Sequence, residues 1–192
     1  EEVNWLFAAE YADSMGVDLI SSSVGYHAFD DPSLSYKYSD LNGKNSLISK
    51  AARLASEKGM AVICSAGNEG NNSWGKISTP ADVAEVMTIG ACDLKGFYTN
   101  FSSKGPSSDI RIKPDFSVPG YKVNVASPGG YYAGNGTSYS TPMFAGAFAC
   151  LMGSLPYIKP DSIRKLLMRS ASHFRYPDTL YGYGIPDFGL AY

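Results

Sequence analysis

Histidine is scarce in this sequence, with two in 192 residues, and cysteine is scarcer than the length would allow, with three. Few histidines mean few side chains able to act as a base near neutral pH. His27 stands before Ala28-Phe29 and His173 before Phe174-Arg175, contexts that suit surface or loop positions. An odd cysteine count excludes a fully paired disulfide framework. Cys64, Cys92 and Cys150 all stand among apolar residues and read as buried thiols acting as small hydrophobes, with a Cys64–Cys92 bond left open. There is no excess of either charge: the net value is −2, which argues against nucleic acid and anionic membranes as partners. No apolar run is long enough to span a bilayer. Internal repeats and low-complexity linkers are missing too, so nothing divides the chain. With 44% hydrophobic and 18% charged residues, it has the makings of one globular core.

What is present is concentrated in Gly136-Thr137-Ser138-Tyr139-Ser140-Thr141-Pro142, followed by Met143-Phe144-Ala145-Gly146. A serine at the mouth of a small-residue helix gains backbone N–H groups and the positive end of the helix dipole. Pro142 is expected in the first turn, where a missing N–H matters least. A capped turn alone explains Gly136 and Ser138 but not the string through Gly146. That string resembles the nucleophile motif of the subtilisin-like serine proteases, Gly-Thr-Ser-x-[Ala/Ser]-x-Pro-x-x-Ala-Gly. The resemblance implies that Ser138 is the nucleophile.

Upstream, Gly59 to Gly70 reads as a buried strand that ends in a glycine-flanked loop. Ligand groups in open parallel sheets lie just beyond the carboxyl ends of strands, where Asn68 stands. By itself Asn68 could be a loop residue beside Gly67. Ser65-Ala66-Gly67-Asn68-Glu69-Gly70 is similar to the subtilase string Ala-Ala-Gly-Asn-[Glu/Asp]-Gly, which implies that the Asn68 amide is an oxyanion donor. Asp18 to Gly25 is similar to the family's substrate-binding strand, and such a strand holds peptide by β-addition. By that resemblance Ser23, Val24 and Gly25 form one wall of the pocket for the residue before the scissile bond. Ser65, Ala66 and Gly67 form the other, leaving a slot for a large apolar side chain.

The family base sits in a His-Gly-Thr motif preceded by an aspartate, and neither histidine matches it. None of Asp13, Asp18, Asp30 and Asp31 follows an apolar strand as the orienting carboxylate would. The expectation is that residues 1–192 are the C-terminal part of one subtilase catalytic domain, with Asp and His upstream of Glu1. The expected fold is α/β, a parallel-sheet, subtilisin-like three-layer fold truncated at its N-terminal side. The elements expected are a helix from Val3 to Met15, a strand from Val17 to Gly25, a helix from Asn45 to Lys58, a strand before Asn68, and a strand from Val83 to Ala91. A strand-and-turn region, two helices and an aromatic tail follow. Thr79-Pro80-Ala81, Lys113-Pro114-Asp115 and Gly182-Tyr183-Gly184 match further family strings. Tyr26 to Asn45 reads as an insertion whose tyrosines either border the cleft or cover the sheet.

That insertion invites a calcium reading through Asp30, Asp31, Asp40 and Asn42-Gly43, but its glycine comes too early for an EF-hand loop and no glutamate follows. Subtilases often bind structural calcium, yet no motif here places it, and no cofactor is required. The function implied is a secreted or cell-envelope serine endopeptidase acting on polypeptide through an acyl-enzyme on Ser138, inactive without the upstream His and Asp. The alternative is a pseudoprotease that keeps the cleft as a peptide-binding module. An α/β-hydrolase is excluded because Ser140 stands where Gly-x-Ser-x-Gly needs its second glycine. A chain cut this way would self-associate or pair with the missing N-terminal segment.

Overall fold

The computed structural model describes all of residues 1–192. Four parallel strands form one sheet in the order β1 (Leu19–Ser22), β2 (Ala61–Ser65), β3 (Met87–Cys92), β4 (Phe116–Pro119). Helices α1 (Glu2–Ser14) and α2 (Leu47–Glu57) cover one face. On the other face lie α3 (Thr137–Ser154) and α4 (Pro160–Ser170), with the single turn α5 (Phe188–Ala191) beside them. An antiparallel hairpin, β5 (Val123–Ser127) and β6 (Gly130–Gly134), leads into α3. This is the three-layer α/β arrangement expected.

The layering follows from alternation along buried strands. Ile63 and Ile89 point to the face where Phe144, Phe148, Ile163 and Leu167 pack. Val62 and Cys64 point to the opposite face, against Ala52, Ala55 and Trp5. Helix α2 begins at Ser46, whose hydroxyl accepts from Ser49 N at 3.1 Å. It stops before Gly59, where φ is +105°.

Several boundaries differ from the sequence expectation. Val83 and Val86 are buried but precede β3, so the apolar run there reports burial rather than strand pairing. Ser23 to Gly25 continue β1 without a ladder partner. In the 26–45 segment, Tyr26 pairs with Thr79 through two 3.0 Å backbone hydrogen bonds. Tyr36 donates to Glu2 at 2.7 Å and Tyr38 to Pro106 O at 2.9 Å, so these two pin the segment to the body of the protein. Cys64 and Cys92 are buried free thiols, pushed up to about 12 and about 11 by burial. Cys150 corrects the expectation: it is exposed, because it lies on the face of α3 turned away from the sheet.

The two sheet edges differ. Tyr183 and Gly184 bond to the β4 side through Tyr183 N to Asp115 O at 2.9 Å and Ser117 N to Gly184 O at 3.0 Å. Beyond β1 there is no strand. Between β3 and β4 lies a buried charge cluster. Lys113 Nζ donates to Asp115 at 2.6 Å, Val86 O at 2.7 Å and Thr88 Oγ1 at 3.1 Å, and Arg164 donates to the other Asp115 oxygen at 2.8 Å. Burial alone would push the Asp115 carboxyl up, but Arg164 and Lys113 outweigh it and hold it below the ordinary range. Asp115 therefore contributes stability that is complete above the unfolded value of about 4 and is lost as pH falls through its lower folded value. Asp115→Ala is expected to cost about 3–5 kcal/mol at pH 7 by leaving Lys113 unpaired. In urea titrations, the gap to wild type should shrink as pH falls below about 4. A gap that is flat across pH 2–7 would contradict this account.

Candidate active site

Ser138 is the second residue of α3, where the backbone N–H has no helical acceptor. Asn68 lies on the loop just after β2. Its Oδ1 accepts from Thr137 N at 2.9 Å and from Thr137 Oγ1 at 3.1 Å. A backbone N–H can only donate, so the atom facing it must be the amide oxygen. That leaves Asn68 Nδ2 as a free donor. A side-chain carbon placed on Gly136 would lie 3.6 Å from Nδ2 and 3.7 Å from Ser138 N. Two unpartnered N–H donors thus flank one small space at the mouth of α3.

Pro142 is the sixth residue of α3 and not in its first turn. Its missing N–H leaves the Ser138 carbonyl without its helical donor, and Ser23 Oγ donates to that carbonyl at 3.1 Å instead. Ser138 Oγ points back to Ser23 O at a long 3.5 Å. The proline therefore creates the acceptor that ties the end of β1 to Ser138.

Beside Ser138 opens a cavity of about 240 Å³. Ser23 and Gly25 line one side and Ser65 and Gly67 the other, with Ser138 and Asn68 at the rim. Val24 and Ala66 do not line it. Successive residues of an extended chain face opposite ways, so Val24 turns outward, 41% exposed, and Ala66 turns into the core against Leu41 and Ile77. The slot also departs from the apolar one expected. Ser78 closes it, and His27, Glu69 and Tyr26 stand in its wall. Glu69 comes with Asn68 from the loop just after β2, whereas Tyr26, His27 and Ser78, for which the sequence offered no signal, are joined to it through the Tyr26–Thr79 pairing and the bond from Ser78 N to Ala66 O.

Neither histidine reaches the Ser138 hydroxyl. His27 stacks on Trp74 with ring centroids 4.4 Å apart and makes no hydrogen bond to Ser138. His173 stacks on Tyr181 at 4.9 Å, with Nδ1 2.9 Å from Ser172 Oγ. No three His, Cys, Asp or Glu side chains converge as a metal-binding set. A larger cavity of about 400 Å³ opens at the opposite, amino ends of β2 and β3, remote from Ser138 and lined by mixed charges.

Residues 2–184 match the model of the subtilase family. The chain belongs to that family. It is 34% identical to subtilisin BL of Lederbergia lenta over 139 residues, covering 72% of this chain and 48% of subtilisin BL. To the serine protease AprX of Bacillus subtilis (strain 168) it is 28% identical over 191 residues, covering 88% of this chain and 41% of AprX. The subtilase chain thus spans less than half the length of each of these two relatives. Among solved structures, the prenylagaramide maturation protease PagA superposes with a TM-score of 0.76 at 23% identity, over 100% of this chain and 66% of PagA. MycP1 of Mycobacterium smegmatis superposes at 0.74 and 20% identity, over 99% of this chain and 54% of MycP1. At these identities the likeness shows the fold.

The seat of α3 depends on close approach at Gly120, whose carbonyl accepts from Gly136 N at 2.8 Å. A carbon added at Gly120 would meet Ser140 Oγ at 2.1 Å and Gly136 O at 2.8 Å. Gly120→Ala is expected to destabilise by about 1–3 kcal/mol through overpacking, a Tm loss of several degrees by calorimetry. An unchanged Tm would mean that this contact does not constrain the start of α3.

Proposed function

We propose that this subtilase chain carries the nucleophile and oxyanion site of a serine endopeptidase. The observation that carries the reading is the pair of free donors, Asn68 Nδ2 and Ser138 N–H, flanking one point beside the Ser138 hydroxyl. Donors of this kind stabilise negative charge that develops as a hydroxyl attacks a carbonyl. Ser138 Oγ would attack the peptide carbonyl, the two donors would hold the oxyanion, and an acyl-enzyme would form and be hydrolysed. The peptide would lie along Ser23–Gly25, with Ser23, Gly25, Ser65 and Gly67 around the side chain before the scissile bond.

The proton on Ser138 needs a base, and neither His27 nor His173 is placed to take it. We assign the base and its orienting carboxylate to polypeptide outside residues 1–192, seated along the open β1 edge. The family relationship supports a site of action outside the cytoplasm, secreted or in the cell envelope. Cell fractionation tests this, and recovery in the cytosol alone would refute it.

In the full-length protein, Ser138→Ala should abolish both peptide cleavage and fluorophosphonate labelling. Asn68→Ala should lower kcat by about 10²–10³, the loss known for the oxyanion asparagine of subtilisin and carried over here, with KM little changed. A change confined to KM would make Asn68 a substrate-binding residue only. A full-length protein that binds peptides but neither cleaves them nor labels at Ser138 is a pseudoprotease. Residues 1–192 alone should show no turnover. The same fragment should self-associate through β1 and the exposed Phe7, Tyr11 and Met15 of α1. A fragment that is monodisperse and monomeric by light scattering, and fails to bind ANS, would refute this use of the edge.

A further inference from the structure

Ser138 is held on both sides through its neighbouring peptide groups. Ahead of it, the Thr137 carbonyl accepts from Thr141 Oγ1 at 2.8 Å. Behind it, the peptide joining Ser138 to Tyr139 is fixed at both ends. Tyr139 N donates to Gly136 O at 3.1 Å, and Ser23 Oγ donates to Ser138 O at 3.1 Å. The peptide planes on either side of a residue set its two backbone dihedrals, and with them the directions of its N–H and its Cβ. The hold on the Ser138 carbonyl therefore helps to aim both the Ser138 hydroxyl and the Ser138 N–H.

Pro142 makes the Ser23 donor necessary. A proline inside a helix has no N–H for the carbonyl four residues back, and its ring crowds that carbonyl. Here that carbonyl belongs to Ser138. Ser23 is exposed, so water can satisfy the oxygen in its place, but a mobile water fixes no direction. Ser23 itself is firmly placed. Ser22 pairs with Cys64 in the ladder, and its hydroxyl accepts from Trp5 Nε1 at 3.0 Å. Past Ser23, Tyr26 pairs with Thr79, and a carbon on Gly25 would lie 3.2 Å from Ser78 Cβ. In the reverse direction Ser138 Oγ reaches Ser23 O only at 3.5 Å, so the Ser138 hydroxyl stays free to turn toward an incoming carbonyl.

We propose that Ser23 is a positioning residue for Ser138, its hydroxyl standing in for the helical N–H that Pro142 cannot supply. The proposal rests on the endopeptidase reading. The test is a double-mutant cycle in the full-length protein with Ser23→Ala, Pro142→Ala and the pair. Alanine at 142 restores the N–H and is the best helix former, so that variant should fold. The first readout is the second-order rate of labelling by diisopropyl fluorophosphate, which puts no peptide side chain into the slot. Ser23→Ala should slow labelling about three- to tenfold, the scale of one neutral hydrogen bond. Ser23→Thr, which keeps a hydroxyl, should recover most of the rate. In the Pro142→Ala background, Ser23→Ala should change the rate by less than about twofold, because the helix then supplies the donor. The same factor should appear in kcat for peptide cleavage, with KM little moved. An effect confined to KM, or an equal loss in both backgrounds, would overturn the proposal and leave Ser23 as a wall of the slot. The second readout is the thermal unfolding midpoint of the same four proteins. If the wild type does not label, the endopeptidase reading fails and the midpoints decide the tie. Non-additive midpoints, with Ser23→Ala harmless once Pro142 is replaced, uphold it, and additive midpoints overturn it.

Discussion

The seating of the first turn of α3 against the carboxyl ends of the sheet is the constraint on which the site depends. Three strand ends hold it. Ser23, past β1, donates to the Ser138 carbonyl. Asn68, past β2, accepts twice from Thr137. Gly120, past β4, accepts from Gly136 N. At each strand end one contact satisfies a backbone group that a helix start or a helical proline leaves without a partner. The anchoring of the helix and the layout of the site are therefore one set of hydrogen bonds. A parallel sheet brings strand ends together on one edge, so it can hold a helix N-terminus this way.

The core beneath is asymmetric. One face of the sheet is filled by aromatics of β4 and α3, with Phe116, Phe144 and Phe148 stacked in sequence at 5.2 and 5.9 Å. The other is filled mostly by alanines and valines of α2, β2 and the turn before β3. Small residues let α2 lie close to the sheet, while the aromatics support the helix that bears Ser138. The buried Lys113–Asp115–Arg164 cluster joins the turn before β4 to α4 and to the turn before β3. It fixes the edge of the sheet opposite β1, and its charges survive burial only because each finds oxygen or nitrogen partners there.

That asymmetry extends to the edges. The β4 side receives the chain's own Tyr183–Gly184 segment, whereas β1 keeps its outer backbone groups free and has Val17 and Val24 exposed at its ends. The open side is also the side of Ser23, one residue past β1, which touches Ser138. A polypeptide added there would arrive beside Ser138.

Much of this was legible in the residues. Gly136 to Gly146 and Ser65 to Gly70 pointed to Ser138 and Asn68 through their resemblance to the family's strings, whereas taken alone they read as a capped helix start and a glycine-flanked loop. The buried strands showed as apolar runs bounded by glycine and turn residues, and the helix stops as glycines. Four features were not legible. Val24 and Ala66 were grouped with their neighbours in the pocket walls, but which of three successive residues faces a cavity is decided by strand alternation relative to the rest of the fold. Cys150 was read as buried from apolar neighbours, although helix periodicity turns it outward. Pro142 gained its meaning only when its missing N–H was seen to leave a carbonyl for Ser23. Ser78 and His27 were brought to the cavity beside Asn68 by the Tyr26–Thr79 pairing. The sequence by itself determined the layers and set Ser138 at a helix start and Asn68 just past a strand, because those depend on periodicity and on local backbone chemistry. The tertiary structure alone decided the lining and charge of the slot, because these arise from contacts between loops far apart in the chain.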